Sequence, residues 1–219
     1  MPVKIPDDLP ASQILTREQI KVIPEHRAFT QDIHPLRIAI VNLMPEKSVT
    51  ETQLLRLLGN SPLQLSVTLV RFASHESKNT PAEYLARFYE QFETVASDRF
   101  DGVIITGAPV ETIPFSEVTY WSELESVMAW SRSHAYSTMH ICWGAQAGLY
   151  YHYGIEKYNL PRKMFGVFSH TVIVPAHALM RGFDETFLAP HSRHTGVRSE
   201  EITSSGKLTL LAESPEAGV

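Results

Sequence analysis

Cys142 is the only cysteine of the chain, and it stands in the stretch Met139-His140-Ile141-Cys142-Trp143-Gly144-Ala145-Gln146, where a strand should turn sharply into a helix. A nucleophile on such a turn is held clear of the sheet, and the backbone N–H groups that follow it point at the atom it attacks. Gly144, two residues on, lets the helix start close beneath the turn. A lone cysteine most often behaves as a small buried hydrophobe. Here the order strand, apolar residue, Cys, residue, Gly argues instead for a thiolate, which the helix N-terminus beyond it would favour. Thiolate chemistry of this kind is covalent acyl transfer or hydrolysis, and it needs a base and a carboxylate to orient that base.

The elements that must position this turn follow from the apolar pattern. Residues 36–43 form a nearly continuous apolar run, as a strand buried on both faces requires. A loop at Met44-Pro45-Glu46-Lys47-Ser48 leads to a helix over 49–58, with Ser48 as cap, Glu51 completing a capping box, and Gly59-Asn60 as the stop. Residues 65–72 predict a second strand. A loop with His75, Ser77 and Asn79 then reaches Thr80-Pro81, read as N-cap and first helical residue, and Leu85, Phe88, Phe92 and Val95 recur at helical spacing. Residues 102–106 predict a strand that ends at Gly107-Ala108-Pro109, and 117–130 predict a helix capped by Ser116.

Beyond Cys142 the pattern weakens. Residues 158–168, containing Lys163, read as a polar and aromatic loop, and 171–174, 187–189 and 208–211 as short edge strands or hairpins. Residues 1–35, rich in proline and charge, read as an arm that wraps a core and is not part of a sheet. Strands alternating with helices predict an α/β fold, a layered parallel sheet with helices on both faces, over residues 36–219. In such sheets chemistry sits outside the carboxyl ends of the strands. The loops at Met44, Gly107 and Cys142 should therefore open on one rim.

Composition narrows the function classes. Nineteen basic and twenty-four acidic residues leave a net charge of -5, which gives no basic surface for nucleic acid. No apolar run approaches the ~18 residues of a membrane span, and the first eight residues hold no signal-peptide core. A single cysteine forms no internal disulfide, so the expected compartment is the reducing cytoplasm. His170 and His177 are not at a metal-ligand spacing, and no metal is expected.

Four stretches carry a resemblance: Val41-Asn42-Leu43-Met44-Pro45 with Lys47, Thr106-Gly107-Ala108-Pro109, His140 to Gln146, and Ala189-Pro190-His191-Ser192-Arg193. With them the chain resembles the homoserine O-acyltransferases of methionine biosynthesis, of the homoserine O-succinyltransferase type. That resemblance implies a flavodoxin-like fold similar to class I glutamine amidotransferases. It also implies a Cys142 acyl-thioester, small-molecule substrates L-homoserine and acyl-CoA, no cofactor beyond that co-substrate, and a homodimer. It assigns substrate binding to Lys163 and Ser192 and acyl-donor discrimination to Glu111. It places Lys47 near the acyl-CoA or the intermediate.

A carboxylate at Glu111 would repel the free carboxylate of a succinyl group, so acetyl-CoA is the expected donor, with succinyl-CoA the alternative. Backbone donors at Trp143 and near Gly107-Ala108 are the arrangement such a fold offers an oxyanion, Ala108 being the second donor assigned. The family pattern gives His191 and His194 no catalytic part, and His140 reads as core or as support for the site. In the family the base and its orienting carboxylate come from a His-x-Glu motif shortly after the position matching 217–219. The chain ends before it, so it is expected to be C-terminally incomplete relative to the family, and neither role is assigned. Competing readings are a serine O-acetyltransferase for cysteine synthesis, an amidotransferase-like hydrolase, and an inactive truncated form that binds without turnover.

Overall fold

A computed structural model describes residues 3–28, 34–74, 77 and 79–219. His75 of the expected loop, and residues 29–33 of the expected arm, lie outside these. The chain divides into two compact units, Met1–Pro109 with Ser116–Ala145, and Val110–Phe115 with Gln146–Val219.

The first unit is built on β1 (Val3–Ile5), α1 (Pro10–Arg17), β2 (Val22–Pro24), α2 (Glu25–Ala28), β3 (Leu36–Val41) and α3 (Lys47–Leu58). It continues with β4 (Leu65–Arg71), α4 (Ala82–Phe88), β5 (Tyr89–Gln91), α5 (Phe92–Val95), β6 (Phe100–Ile105), α6 (Trp121–His134) and β7 (Ala135–His140). Among the described residues, seven strands make one sheet in the order β2-β1-β4-β3-β6-β7, with β5 also on β4, and every pair is parallel. Ala39, Ile40 and Val41 are buried in succession, as are Val103, Ile104 and Ile105. Successive strand residues face opposite ways, so both faces of the sheet are covered at its centre.

Residues 3–24 correct the expectation of an arm outside the sheet. Val3 and Ile5 alternate inward, Lys4 turns out to pair with Glu25 at 2.9 Å, and β1 lies parallel to both β4 and β2. Leu9, Ala11 and Leu15 then bury one face of α1 in the same core as Leu55 and Leu65. Strands of three residues carry too little alternation to be seen by pattern alone.

Three further expectations are corrected in this unit. The helix after β3 begins at Lys47 with Glu46 at its N-cap and no side-chain cap, so Ser48 lies inside it and there is no capping box. The predicted helix through Leu85, Phe88, Phe92 and Val95 is interrupted by β5, because Tyr89-Glu90-Gln91 pairs with Leu69-Val70-Arg71. The helix expected over 117–130 starts at Trp121, after a single 3-10 turn at Phe115–Glu117.

The helix α7 (Trp143–Tyr153) begins in the first unit and runs on in sequence into the second, which also holds β8 (Tyr158–Val172), β9 (Thr186–Gly196), α8 (Ser199–Ser204) and β10 (Ala212–Glu213). The last three strands form an antiparallel sheet in the order β10-β8-β9. Residues 158–168, expected as a loop, are thus most of a 15-residue strand, and residues 208–211 are not a strand. Along β8 from Phe165 to Ser169 the exposed positions alternate with partly buried ones, the signature of a ribbon with one face open, and its polar residues masked the period. Among the described residues, no helix is long and apolar enough to cross a membrane.

Candidate active site

The carboxyl ends of β3, β6 and β7 lie level, with Val41 opposite Ile105 and Ile105 opposite His140. The loops that follow them therefore start from one rim of the sheet, as the pattern predicts. Cys142 occupies the third of these loops with a backbone φ of 55°, one of two positive values at non-glycine residues among the described residues. A side chain in this left-handed region is disfavoured by roughly 1–2 kcal/mol, and the surroundings hold it there. Ile141 N–H donates to Ile105 O at 2.9 Å, Gly144 N–H to Ile141 O at 2.9 Å, and Ala145 N–H to Cys142 O at 2.9 Å. The turn is thereby tied to β6 on one side and becomes the first turn of α7 on the other.

Two glycines make room for it. A Cβ on Gly144 would meet Thr106 O at 2.5 Å and Ile105 O at 3.0 Å, so only glycine lets the start of the helix approach β6 this closely. A Cβ on Gly107 would lie 3.0 Å from Cys142 Cβ and 3.4 Å from its Sγ. Gly107 is thus the wall against which the exposed thiol stands. Beneath the turn, the buried Trp143 ring meets Tyr120 edge to face at 6.2 Å. His140 is partly buried, and its Nδ1 lies 3.1 Å from Gly144 O. Burial pulls its pKa down against that hydrogen bond, which favours a neutral ring donating to the carbonyl.

Lys47 and Ala108 also belong to this unit. Lys47 is 4% exposed, and its ammonium donates to Asn42 O and lies 3.5 Å from Met44 O, folding the first rim loop around itself. Burial brings its pKa down to about 8, opposed by the nearby Glu51 charge. Glu51 is fully buried and accepts hydrogen bonds from Tyr84 and Tyr89. Its pKa is raised by burial, against the two tyrosines and Lys47. Asn42 joins the cluster, donating to the Tyr89 hydroxyl at 2.9 Å and to Lys47 O at 3.3 Å. Sequence reasoning spent Glu51 on a helix cap. A carboxylate one turn after a rim lysine, followed by paired tyrosines, was the available sign of a buried cluster.

The second unit holds Glu111, Lys163 and Ser192. Ser192 on β9 faces Phe165 across the ribbon on its open side, where Phe165 is 76% exposed. Lys163 is exposed on β8, with Nζ 5.4 Å above the Phe165 ring. Glu111 is held by His194, whose Nδ1 lies 2.7 Å from Oε1 and whose backbone N–H donates to Oε2 at 3.1 Å. Lys157 secures the same segment by donating to the carbonyls of Glu111 and Ile113. His194 is two residues from Ser192 on the same open side of β9. Glu111, Ser192 and Lys163 are accordingly gathered along one side of one ribbon. Residues 190–196 were expected outside any strand, and their alternation along β9 is what carries His194, which flanks Ser192 in sequence, onto Glu111.

On the other side of the ribbon His170 and His191 stack with ring centroids 5.0 Å apart and Nε2 atoms 3.1 Å apart, and Arg193 Nε donates to His191 Nδ1. Burial, Arg193 and His170 all push the His191 pKa down. Among the described residues, no group of three or more His, Cys, Asp or Glu is placed to hold a metal ion.

A family model described as homoserine O-succinyltransferase matches residues 2–219. The homoserine O-acetyltransferase of Acetivibrio thermocellus is 58% identical over 219 residues, which is 100% of this chain and 72% of that protein. That of Geobacillus kaustophilus is 59% identical over the same 219 residues, again 72% of the relative. Among solved structures, a protein of Thermoplasma acidophilum, provisionally described as one of the subunits of a GMP synthase, superposes with a TM-score of 0.56 at 19% identity. The match covers 85% of this chain and 77% of that one, and it shows a shared α/β fold.

Proposed function

The chain belongs to the homoserine O-succinyltransferase family, and from that premise we propose that it transfers an acyl group from acyl-CoA to the hydroxyl of L-homoserine through a thioester on Cys142. The observation that carries this reading is the left-handed backbone of Cys142 between β7 and α7, with its thiol against Gly107. Strain of this kind at an exposed thiol is the arrangement of a nucleophile elbow.

In the first half-reaction the Cys142 thiolate attacks the thioester carbonyl. The Sγ–acyl bond forms, the bond to the CoA sulfur breaks, and the proton given up by Cys142 ends on the CoA thiol. In the second, the homoserine oxygen attacks, the C–O bond forms, the Sγ–acyl bond breaks, and the hydroxyl proton returns to Cys142. Both steps pass through an oxyanion, for which the Trp143 and Ala108 N–H groups are the assigned donors. Lys163 and Ser192 bind substrate, and Lys47 lies near the acyl-CoA or the intermediate. Glu111 disfavours a donor with a second carboxylate, and acetyl-CoA is the donor we assign. The relatives' names, homoserine O-acetyltransferase, support that choice. Placement in methionine biosynthesis and as a homodimer rests on the family resemblance, and placement in the cytoplasm on the single cysteine.

Intact mass after brief incubation with acetyl-CoA or succinyl-CoA tests this reading. An acetyl adduct is expected on the chain and not on Cys142→Ala, and Glu111→Gly is expected to raise the succinyl share. An adduct that survives Cys142→Ala would remove the thioester route. A succinyl adduct in preference to acetyl on the unsubstituted chain would overturn the role of Glu111.

A further inference from the structure

Thr106 directly follows β6 and is 2% exposed, so its hydroxyl needs a partner inside the protein. Its hydroxyl has two. Leu43 N–H donates to Oγ1 at 2.8 Å, and Oγ1 donates in turn to Gly107 O at 3.1 Å. A hydroxyl has one proton and two acceptor positions. With Leu43 on a lone pair, the proton is left for the Gly107 carbonyl.

That carbonyl belongs to the same planar peptide as Ala108 N–H, and no peptide bond among the described residues is cis. In a trans peptide the C=O and N–H point in opposite directions. Holding Gly107 O at one end therefore fixes where Ala108 N–H points at the other. The peptide starts from Gly107, where an added Cβ would lie 3.0 Å from Cys142 Cβ. The other end of the chain of bonds is equally fixed. Leu43 lies between Asn42, whose Oδ1 accepts from Met44 N–H at 3.2 Å, and a loop folded around the Lys47 ammonium.

We propose that Thr106 is a positioning residue, whose hydroxyl locks the Gly107–Ala108 peptide so that Ala108 N–H is aimed as an oxyanion donor beside Cys142. The inference rests on Cys142 attacking an acyl carbonyl. It does not depend on which acyl donor is used. Thr106 touches no reacting atom and acts through the peptide that follows it.

The test reads two reactions of Cys142 in the full chain by peptide mass. In acetyl transfer from p-nitrophenyl acetate, the Sγ–acetyl bond forms, the ester C–O bond breaks, and the thiol proton leaves with nitrophenol or to solvent, by way of an oxyanion. In alkylation by iodoacetamide, the Sγ–carbon bond forms and iodide leaves, with no oxyanion. Thr106→Val keeps the volume and removes both hydrogen bonds. It is expected to slow acetylation relative to alkylation by about tenfold or more, and Thr106→Ser to restore the ratio. Equal slowing of both reactions, or an unchanged ratio, overturns the proposal. Should the valine variant lack the folded circular dichroism spectrum, Thr106→Ala is measured in its place against the same two outcomes. A lowered ratio in a chain that takes no acetyl group from acetyl-CoA would support the role of Thr106 while removing the donor assigned above.

Discussion

At the Cys142 turn the geometry is made by backbone, whereas on the β8–β9 ribbon it is made by side chains. Around Cys142 the close contacts are Gly144 on the carbonyls of Thr106 and Ile105, Gly107 on the thiol, and a run of main-chain hydrogen bonds. Around Glu111 they are the His194 imidazole on its carboxylate and the Lys157 ammonium on its carbonyl. A backbone site cannot relax without moving a strand, so it holds Cys142 in its left-handed conformation. A side-chain site can exchange one residue for another at little cost to the fold, which is what the discriminating role proposed for Glu111 requires.

The largest expected effect breaks the backbone half of this contrast. Gly144→Ala places a Cβ 2.5 Å from a backbone oxygen, and overpacking that no side chain can yield to should cost about 3 kcal/mol or more. Gly154→Ala in the second unit, at φ +71° with nothing within 4 Å, should cost about 1 kcal/mol. Urea midpoints of the two variants measure the difference, and equal losses would remove the distinction. Next in size is Tyr89→Phe. It takes a buried hydroxyl from Asn42 and Glu51 and should cost about 1–3 kcal/mol by the same measurement, while an unchanged midpoint would show the cluster to be dispensable.

A pH series sharpens the contrast further. Lys47 titrates at about 8 in the folded chain against an ordinary value of 10.5. Between these values the unfolded chain still binds a proton that the folded chain has released, so the contribution of Lys47 to stability rises with pH across that window. Below about pH 8 both states are charged and the contribution is at its lowest. Unfolding free energy of the chain should therefore gain on that of Lys47→Met between about pH 8 and 10, and parallel curves would place the lysine in water. The smallest effect belongs to the ribbon. His194→Ala removes the imidazole contact to the Glu111 carboxylate, whose partners are 49% and 21% exposed, and should shift stability by less than about 1 kcal/mol. A larger loss would mean that the ribbon, like the turn, depends on its site for its fold.

Much of the first unit was legible in residue order. The runs ending at Val41 and Ile105 are apolar because both faces of their strands are covered, and such runs announce themselves. The Cys-x-Gly spacing gave away the elbow, since the approach of helix to strand admits no side chain at Gly144. Other elements were hidden for physical reasons that can be named. Val3 and Ile5 form a strand only because β4 offers an edge to receive them. Tyr89-Glu90-Gln91 lies within a helical period, and pairing with Leu69 to Arg71 overrides it. Glu51 fits a capping box by spacing and serves instead as a buried acceptor for two distant tyrosines.

The sequence by itself determined the alternating parallel architecture, the rim on which its loops open, and the place of Cys142 at a strand-to-helix turn. These depend on periodicity and on steric exclusion within a few residues. Only the tertiary structure decided that the thiol stands against Gly107, that Thr106 spans Leu43 and Gly107, and that His194 holds Glu111. Cys142 lies 35 residues from Gly107, Thr106 63 from Leu43, and His194 83 from Glu111. Contacts at such separations are set by strand register and packing, which no local pattern encodes.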